Sequence, residues 1–233
     1  MLKKSEEKTN LIILNYNNYN HSYLLFNDTS KGEYDFKKIL KNKLKNFTNK
    51  KWKSLTIVHT NNNFILIPKE LYIKKNNKKY LNIITDYNDD KIENNLFNKI
   101  VCLFTNNLKL NLKKSIINKT YQVHLASILI KKYLLEKSKK IQTNVFIGGN
   151  KIMILIHKNS ELYYYNQFNN KNNYLKYLII LYKEFDLNQD KNLIIISSID
   201  NKDAKNMKEK LKNHFSKIVI NNETLDKIIK IEK

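Results

Sequence analysis

Residues of the types that carry chemistry are present in this chain, but at spacings that do not combine them. The five histidines (His21, His59, His124, His157, His214) never fall at i,i+3 or i,i+4. A zinc site wants clustered His and Cys ligands, so packing at strands and helix ends accounts better for these histidines. The single cysteine, Cys102, lies in the apolar run Ile100–Phe104 with no histidine near it in sequence. It reads as a small buried hydrophobe rather than a nucleophile. One cysteine allows no internal disulfide, which suits a reducing compartment. Asp89-Asp90 and Asp186…Asp190 could pair for acid/base work, but they sit in polar connections, where turn and cap roles are commoner. Tyr163-Tyr164-Tyr165 could stack bases; in a strand, Tyr164 must point away from its two neighbours, which describes core on one side and surface on the other. With three glycines in all, a P-loop or dinucleotide fingerprint is nearly excluded, and no nucleophile elbow is present. No catalytic motif stands out.

Composition narrows the class. A 233-residue chain with 42% hydrophobic and 11% aromatic residues is globular and long enough for a real core. The longest apolar run, Tyr177–Tyr182, is far too short to cross a bilayer, and no signal-like segment follows the charged first residues. The expectation is a cytosolic protein. A net charge of +22 would ordinarily point to nucleic acid or an anionic membrane. Yet the chain has no arginine, the favoured residue for bidentate phosphate and guanine recognition, and its lysines are spread throughout. Lysine, asparagine, isoleucine and tyrosine have A/T-rich codons, so the charge reads mainly as the mark of an A/T-rich genome.

The elements that must position any site follow from periodicity. Leu11–Leu14 and His21–Phe26 read as strands around the polar turn Asn15–Asn20, and Gly32 as a break. Phe36, Ile39, Leu40, Leu44 and Phe47 recur as on an amphipathic helix, with Asp35 as its N-cap. Strands are expected at Ser54–His59 and Phe64–Ile67. Pro68 should end the second and open a helix through Tyr72. A helix over Asn77–Tyr87, paired strands at Ile92–Leu96 and Ile100–Phe104, and a helix over Tyr121–Leu135 complete the first part, together with Asn106–Ile117, where Leu108, Leu110 and Leu112 fit strand alternation as well as a helix and the helix is the preferred reading. Val123, Ala126, Ile130, Tyr133 and Leu134 should face inward on the last of these. From Thr143 the pattern sharpens. Gly148-Gly149-Asn150 is turn chemistry between two apolar runs, because glycine takes positive φ freely and asparagine tolerates it. His157–Ser160 is a second short break. Three antiparallel strands are then followed by helix Tyr174–Phe185, strand Asn192–Ser197, helix Lys202–Phe215 and strand Lys217–Ile220. The order is β-β-β-α-β-α-β. Both halves open on strands around a tight turn, then a helix and a buried strand, as in a cryptic duplication with a boundary near Lys140.

Several of these residues resemble a family. Phe64-Ile-Leu-Ile-Pro68, Glu70-Leu71-Tyr72, Tyr80-Leu81, Ile100-Val-Cys-Leu-Phe104 and His124 are similar to a signature of domain-of-unknown-function family 3822 of the Bacteroidota. The Val-Phe-Ile strand, Asn166-Gln-Phe168 and Tyr174-Leu175 match its second half, and the resemblance runs over about residues 10–220. It implies the actin/Hsp70/sugar-kinase superfold, nearest the cell-division and pilus-assembly ATPases: an α/β protein of two actin-like (ribonuclease-H-like) lobes, each a mixed sheet with an antiparallel meander and flanking helices. Lobe one would span 1–140 with an inserted subdomain at about 69–120, and lobe two 141–233.

The resemblance also says where a nucleotide would sit. Active members place an Asp-x-Gly type turn between the first two strands, where N–H groups meet phosphate and the carboxylate holds Mg²⁺ through water. Here that turn, Asn15–Asn20, has neither aspartate nor glycine. Its counterpart, Gly148-Gly149-Asn150-Lys151, keeps glycines without an acid and is the candidate cofactor-binding segment, should ATP bind. Where active members use glycines to admit adenosine, this chain has Ser197-Ser198-Ile199-Asp200. The expectation is a non-enzymatic interaction or scaffold protein with a degenerate nucleotide cleft, an unknown protein partner, no catalytic residues and no metal. The alternatives are a nucleotide-binding ATPase or kinase of the same superfold, and a lysine-rich nucleic-acid-binding protein.

Overall fold

The strand patterns at the start of the chain become β1 (Asn10–Asn15), β2 (His21–Phe26), β3 (Lys31–Asp35) and β4 (Ser54–His59). A computed structural model describes residues 10–15, 21–26, 31–35, 54–84, 91–106, 120–136, 138–148, 151–169, 171–198 and 201–223. β1, β2 and β3 form an antiparallel meander. β4 joins β1 in parallel, and β8 (Thr120–His124) joins β4 in parallel, giving the order β3-β2-β1-β4-β8. Between β4 and β8 a second, antiparallel sheet forms from β5 (Phe64–Pro68), β6 (Lys91–Phe97) and β7 (Ile100–Asn106), with β7 in the middle. A central strand is covered on both faces, which is why Val101–Phe104 reads as unbroken apolar sequence. A short helix, α1 (Asn77–Leu81), packs Leu81 onto Ile67 and Leu103.

The chain divides into two compact units, Met1–Ser127 and Ile128–Lys233. Helix α2 (Leu125–Leu135) crosses that division. In the second unit β9 (Gln142–Gly148), β10 (Lys151–Lys158) and β11 (Glu161–Phe168) make another antiparallel meander. Helix α3 (Tyr174–Glu184), strand β12 (Leu193–Ser198), helix α4 (Asn201–Leu211) and strand β13 (Ile218–Ile220) follow, with β12 parallel to both β9 and β13. The order β11-β10-β9-β12-β13 repeats that of the first sheet: three antiparallel strands, then two parallel ones. Strand alternation splits this sheet cleanly. Val145, Ile147, Ile152, Ile154, Ile156, Ile194 and Ile196 point to one face. There they meet Tyr174, Leu178, Leu181 and Tyr182 of α3, spaced on a helical stripe, and Ala204, Met207 and Leu211 of α4. Each such aliphatic side chain contributes about 1.5–3 kcal/mol on burial.

The second half follows the expected element order throughout. The departures lie earlier. Gly32 is not a break: it lies inside β3, opposite Leu24. Lys-Gly-Glu-Tyr-Asp carries no apolar alternation to announce a strand at the sheet edge, where backbone hydrogen bonds to β2 hold it. Tyr121–His124 is the end of strand β8, not the first turn of a helix, because parallel pairing to β4 claims it (Val58 opposite Val123, His59 opposite His124). All five residues expected to face inward there are buried. The turn after Pro68 is a single 3₁₀ turn, Lys69–Leu71, rather than a helix through Tyr72. Regular helix ends at Leu81 instead of Tyr87, tailing off through Ile83 and Ile84 in i→i−3 bonds, as β-branched residues resist continuing a helix. The helices expected over 36–47 and 106–117 fall at residues outside those described, except Asn106, which ends β7.

Candidate functional site

The hairpin singled out by its glycines closes on a direct pair: Gly148, the last residue of β9, lies opposite Lys151, the first of β10. Gly149 and Asn150 lie outside the described residues. Alternation sends Lys151 to the sheet face opposite the α3/α4 core, on the side of Met153, Leu155 and His157. Its side chain is wholly buried, and that burial pushes the ammonium down to about 8. Farther along the same face, His157 is buried and stacked on Tyr133 of α2 at 6.4 Å between ring centroids. Neither His157 nitrogen has a hydrogen-bond partner among the described residues, and burial holds its pKa below the usual histidine value. The Tyr133 hydroxyl, pushed up to about 12 chiefly by burial, shares a 3.1 Å hydrogen bond with Ser197 Oγ.

At the end of β12, where the resemblance implies a nucleoside site, both serines are buried. Ser197 is engaged with Tyr133, and Ser198 Oγ donates to the Ile147 carbonyl at 3.4 Å. Beside Ile147, on the helix face of the sheet, lies a cavity of about 130 Å³. Lys171, Asp203, Asn206 and Lys210 give it a polar wall, and Tyr174 and Met207 an apolar one. Lys171 Nζ and Asp203 Oδ2 form an ion pair across it at 2.8 Å. Sequence reasoning missed this wall: Asp203, Asn206 and Lys210 share one face of α4 at i, i+3 and i+7, but Lys171 comes from the turn before α3, and only the tertiary structure brings the two together. Asp203 in the first turn of α4 reads locally as a complement to the helix dipole.

The remaining candidates have packing roles. Cys102 is fully buried, and burial raises its thiol far above the usual range, against a weaker opposing hydrogen bond from Ser127. His59 and His124, 65 positions apart in sequence, are register neighbours at the ends of β4 and β8. His59 Nε2 lies 2.6 Å from Gln122 Oε1 and His124 Nε2 3.0 Å from the Asn61 carbonyl, with His124 stacked on Phe64 at 4.4 Å. Among the described residues no group of three or more His, Cys, Asp or Glu could hold a metal ion. Asp186 takes a left-handed turn conformation (φ 48°), and Asp190 accepts from Ser216 Oγ at 2.5 Å. Asp89 and Asp90 lie outside the described residues. Tyr164 packs edge-on against Phe185 in the core, while Tyr163 is exposed.

Two sheets of one repeated strand order, each a meander continued by parallel strands, are the architecture that the sequence resemblance implied. A family model, "Protein of unknown function (DUF3822)", matches residues 5–218. The chain belongs to this family. No curated protein matches it in sequence. Among solved structures it is similar to a Bacteroides thetaiotaomicron protein described as having an actin-like ATPase fold and unknown function: TM-score 0.77, 15% identity, covering 99% of this chain and 97% of the other. The DUF3822 chain therefore has the actin-like ATPase fold. More distant are the cytoplasmic domain of EpsL, an inner-membrane component of the Vibrio cholerae type II secretion system (TM-score 0.49, 8% identity, 93% and 87% covered), and the PilM–PilN type IV pilus biogenesis complex (TM-score 0.48, 7% identity, 96% and 93% covered). Among the described residues no helix is long and apolar enough to cross a membrane.

Proposed function

We propose that this DUF3822 protein is a non-catalytic interaction or scaffold protein of the cytoplasm that keeps the actin-like fold with a degenerate nucleotide site. The observation that carries this reading is the state of the acidic and glycine positions. Phosphoryl chemistry on this fold needs a carboxylate free to hold Mg²⁺ through water. The turn Asn15–Asn20 offers none, the hairpin at Gly148–Lys151 offers none, and Asp203, which lines the cavity beside that hairpin, is engaged by Lys171. Ser197 and Ser198 occupy the strand end with hydrogen bonds of their own, where a nucleoside would need open backbone.

One observation favours the second reading, nucleotide binding without these acids. The cavity carries Lys171 and Lys210 on its wall, and lysine is a serviceable phosphate partner as a point charge. A thermal-shift titration with MgATP, with a short single-stranded RNA in parallel, separates the readings. A ligand at 100 times its Kd stabilises the folded state by about 2.7 kcal/mol, a shift of a few degrees for a chain of this size. The expected result is no shift with either. A shift with MgATP that is lost in Lys171→Ala or Lys210→Ala would overturn the scaffold reading, and an RNA shift abolished by added salt would make the lysine surface a nucleic-acid site.

A further inference from the structure

The stretch between β5 and β6 presents a surface that neither the core nor a nucleotide site explains. From Lys69 the backbone makes two 3₁₀ turns and α1, and along it Leu71, Ile73, Ile83 and Ile84 are 64%, 49%, 73% and 43% exposed. The display of the first two is built in. Tyr72 and Ile73 have extended backbone (φ/ψ −82°/120° and −121°/112°), so successive side chains leave on opposite sides. Tyr72 goes inward, against the Ile67–Leu81–Leu103 cluster and alongside the ring of Tyr80 at 6.2 Å; Leu71 and Ile73 are thereby turned out. The Tyr80 hydroxyl locks that arrangement by donating to the Leu71 carbonyl at 2.7 Å and accepting from the Ile73 N–H at 3.2 Å.

Charge completes the pattern. Lys69, Lys74, Lys75, Lys78 and Lys79 are all exposed in the same stretch, and Glu70 is its one acidic residue. Apolar tips set rigidly among ammonium groups match the boundary layer of an anionic bilayer. The tips enter the headgroup–acyl boundary, while the lysine stems lie along apolar surface and their heads meet lipid phosphate. The four tips come from irregular backbone at both ends of the stretch. A fluid surface accommodates that without the fixed register a partner helix would require. We propose that the segment Lys69–Ile84 docks the protein peripherally on a membrane surface rich in anionic lipid. This goes beyond the scaffold reading and stands on different residues.

Flotation of the full chain with phosphatidylcholine vesicles containing about two-fifths phosphatidylglycerol tests it, with pure phosphatidylcholine as the reference. Binding to the anionic vesicles that falls as salt rises is expected. Replacing Leu71, Ile73, Ile83 and Ile84 with asparagine leaves the charge unchanged and should weaken partitioning by about ten-fold or more. The single variant Ile83→Asn, at the most exposed of the four, should weaken it in the same direction with no fold at risk. A control that removes Lys176, Lys183 and Lys205 from α3 and α4 should change it by less than about two-fold, since charge outside the contact acts only through screened long-range attraction. Three results would each overturn the proposal: no binding of the wild-type chain, apolar variants that bind like wild type, or an equal loss in the lysine control, which would mean diffuse charge. Patch-dependent binding of an acidic amphipathic peptide with no binding to vesicles would assign the surface to a protein partner and overturn it as well.

Discussion

Lys151 shows how little a residue's type says about its state. A lysine next to two glycines looks like a surface cation at a turn, yet it is wholly buried, with its ammonium pushed down to about 8. Burial disfavours the charged form, so at neutral pH the folded protein carries that penalty while the unfolded chain does not. Lys151→Met keeps the length and removes the charge. Its stability at pH 7 relative to wild type, read from urea unfolding, weighs that desolvation cost against the contacts the ammonium makes. The sign sets a second readout: with the folded pKa below the unfolded one, wild-type stability should rise with pH between about 8 and 10.4, and the variant should lose that rise. A variant that destabilises at pH 7 would show that the ammonium makes interactions stronger than its desolvation cost.

At the scale of elements, one side chain ties the three-stranded sheet to the start of α2. Asn95 of β6 donates Nδ2–H to the Gln122 carbonyl at 2.9 Å. Its Oδ1 accepts from the His124 N–H at 2.8 Å and from Ser127 Oγ at 2.9 Å. The helix is capped by His124, whose Nδ1 accepts from the Ala126 N–H at 3.2 Å, and Asn95 satisfies the N–H of that cap residue from 29 residues upstream. Asn95→Ala takes this partner from the Gln122 carbonyl and from the N–H of buried His124, while Ser127 Oγ keeps the His124 carbonyl at 2.9 Å, and it should cost about 1–3 kcal/mol in a thermal or urea melt. Asn95→Asp keeps the acceptor and loses the donor, so it should cost less than the alanine. Equal losses would mean that Nδ2 carries the link.

At the scale of the whole molecule, acid stability follows from histidines in both units. His59 belongs to the first and His157 to the second, and in each burial holds the pKa below the unfolded value of about 6.5. For His59 the Gln122 hydrogen bond and the Glu93 charge oppose burial without cancelling it. A depressed histidine pKa means that the unfolded chain binds more protons below pH 6.5. Stability is then retained above that pH and lost as pH falls, by at most about 1.4 kcal/mol per pH unit for each residue. Urea titrations from pH 7.5 downward should show the decline beginning near 6.5, ahead of the carboxylate range. His157→Leu, which removes a ring whose two nitrogens have no hydrogen-bond partner among the described residues, should flatten part of it. An unchanged profile in that variant would place the acid sensitivity elsewhere.

The second half of this fold was legible in the sequence because its signals are local. The glycine pair, the alternating runs around it and the i,i+4 stripes of α3 and α4 each describe an element that forms from neighbours along the chain. The two turns without acids are equally a property of sequence alone. β3 and the start of α2 were misread because their state is set by pairing to distant strands: an edge strand needs backbone partners rather than apolar residues, and Thr120–His124 becomes a strand only beside β4. The tertiary structure alone decided that Lys151 and His157 are buried, that His59 meets His124, and that Leu71 and Ile73 face outward. Burial and register depend on which segments meet across tens of residues, and periodicity within one segment carries no information about that.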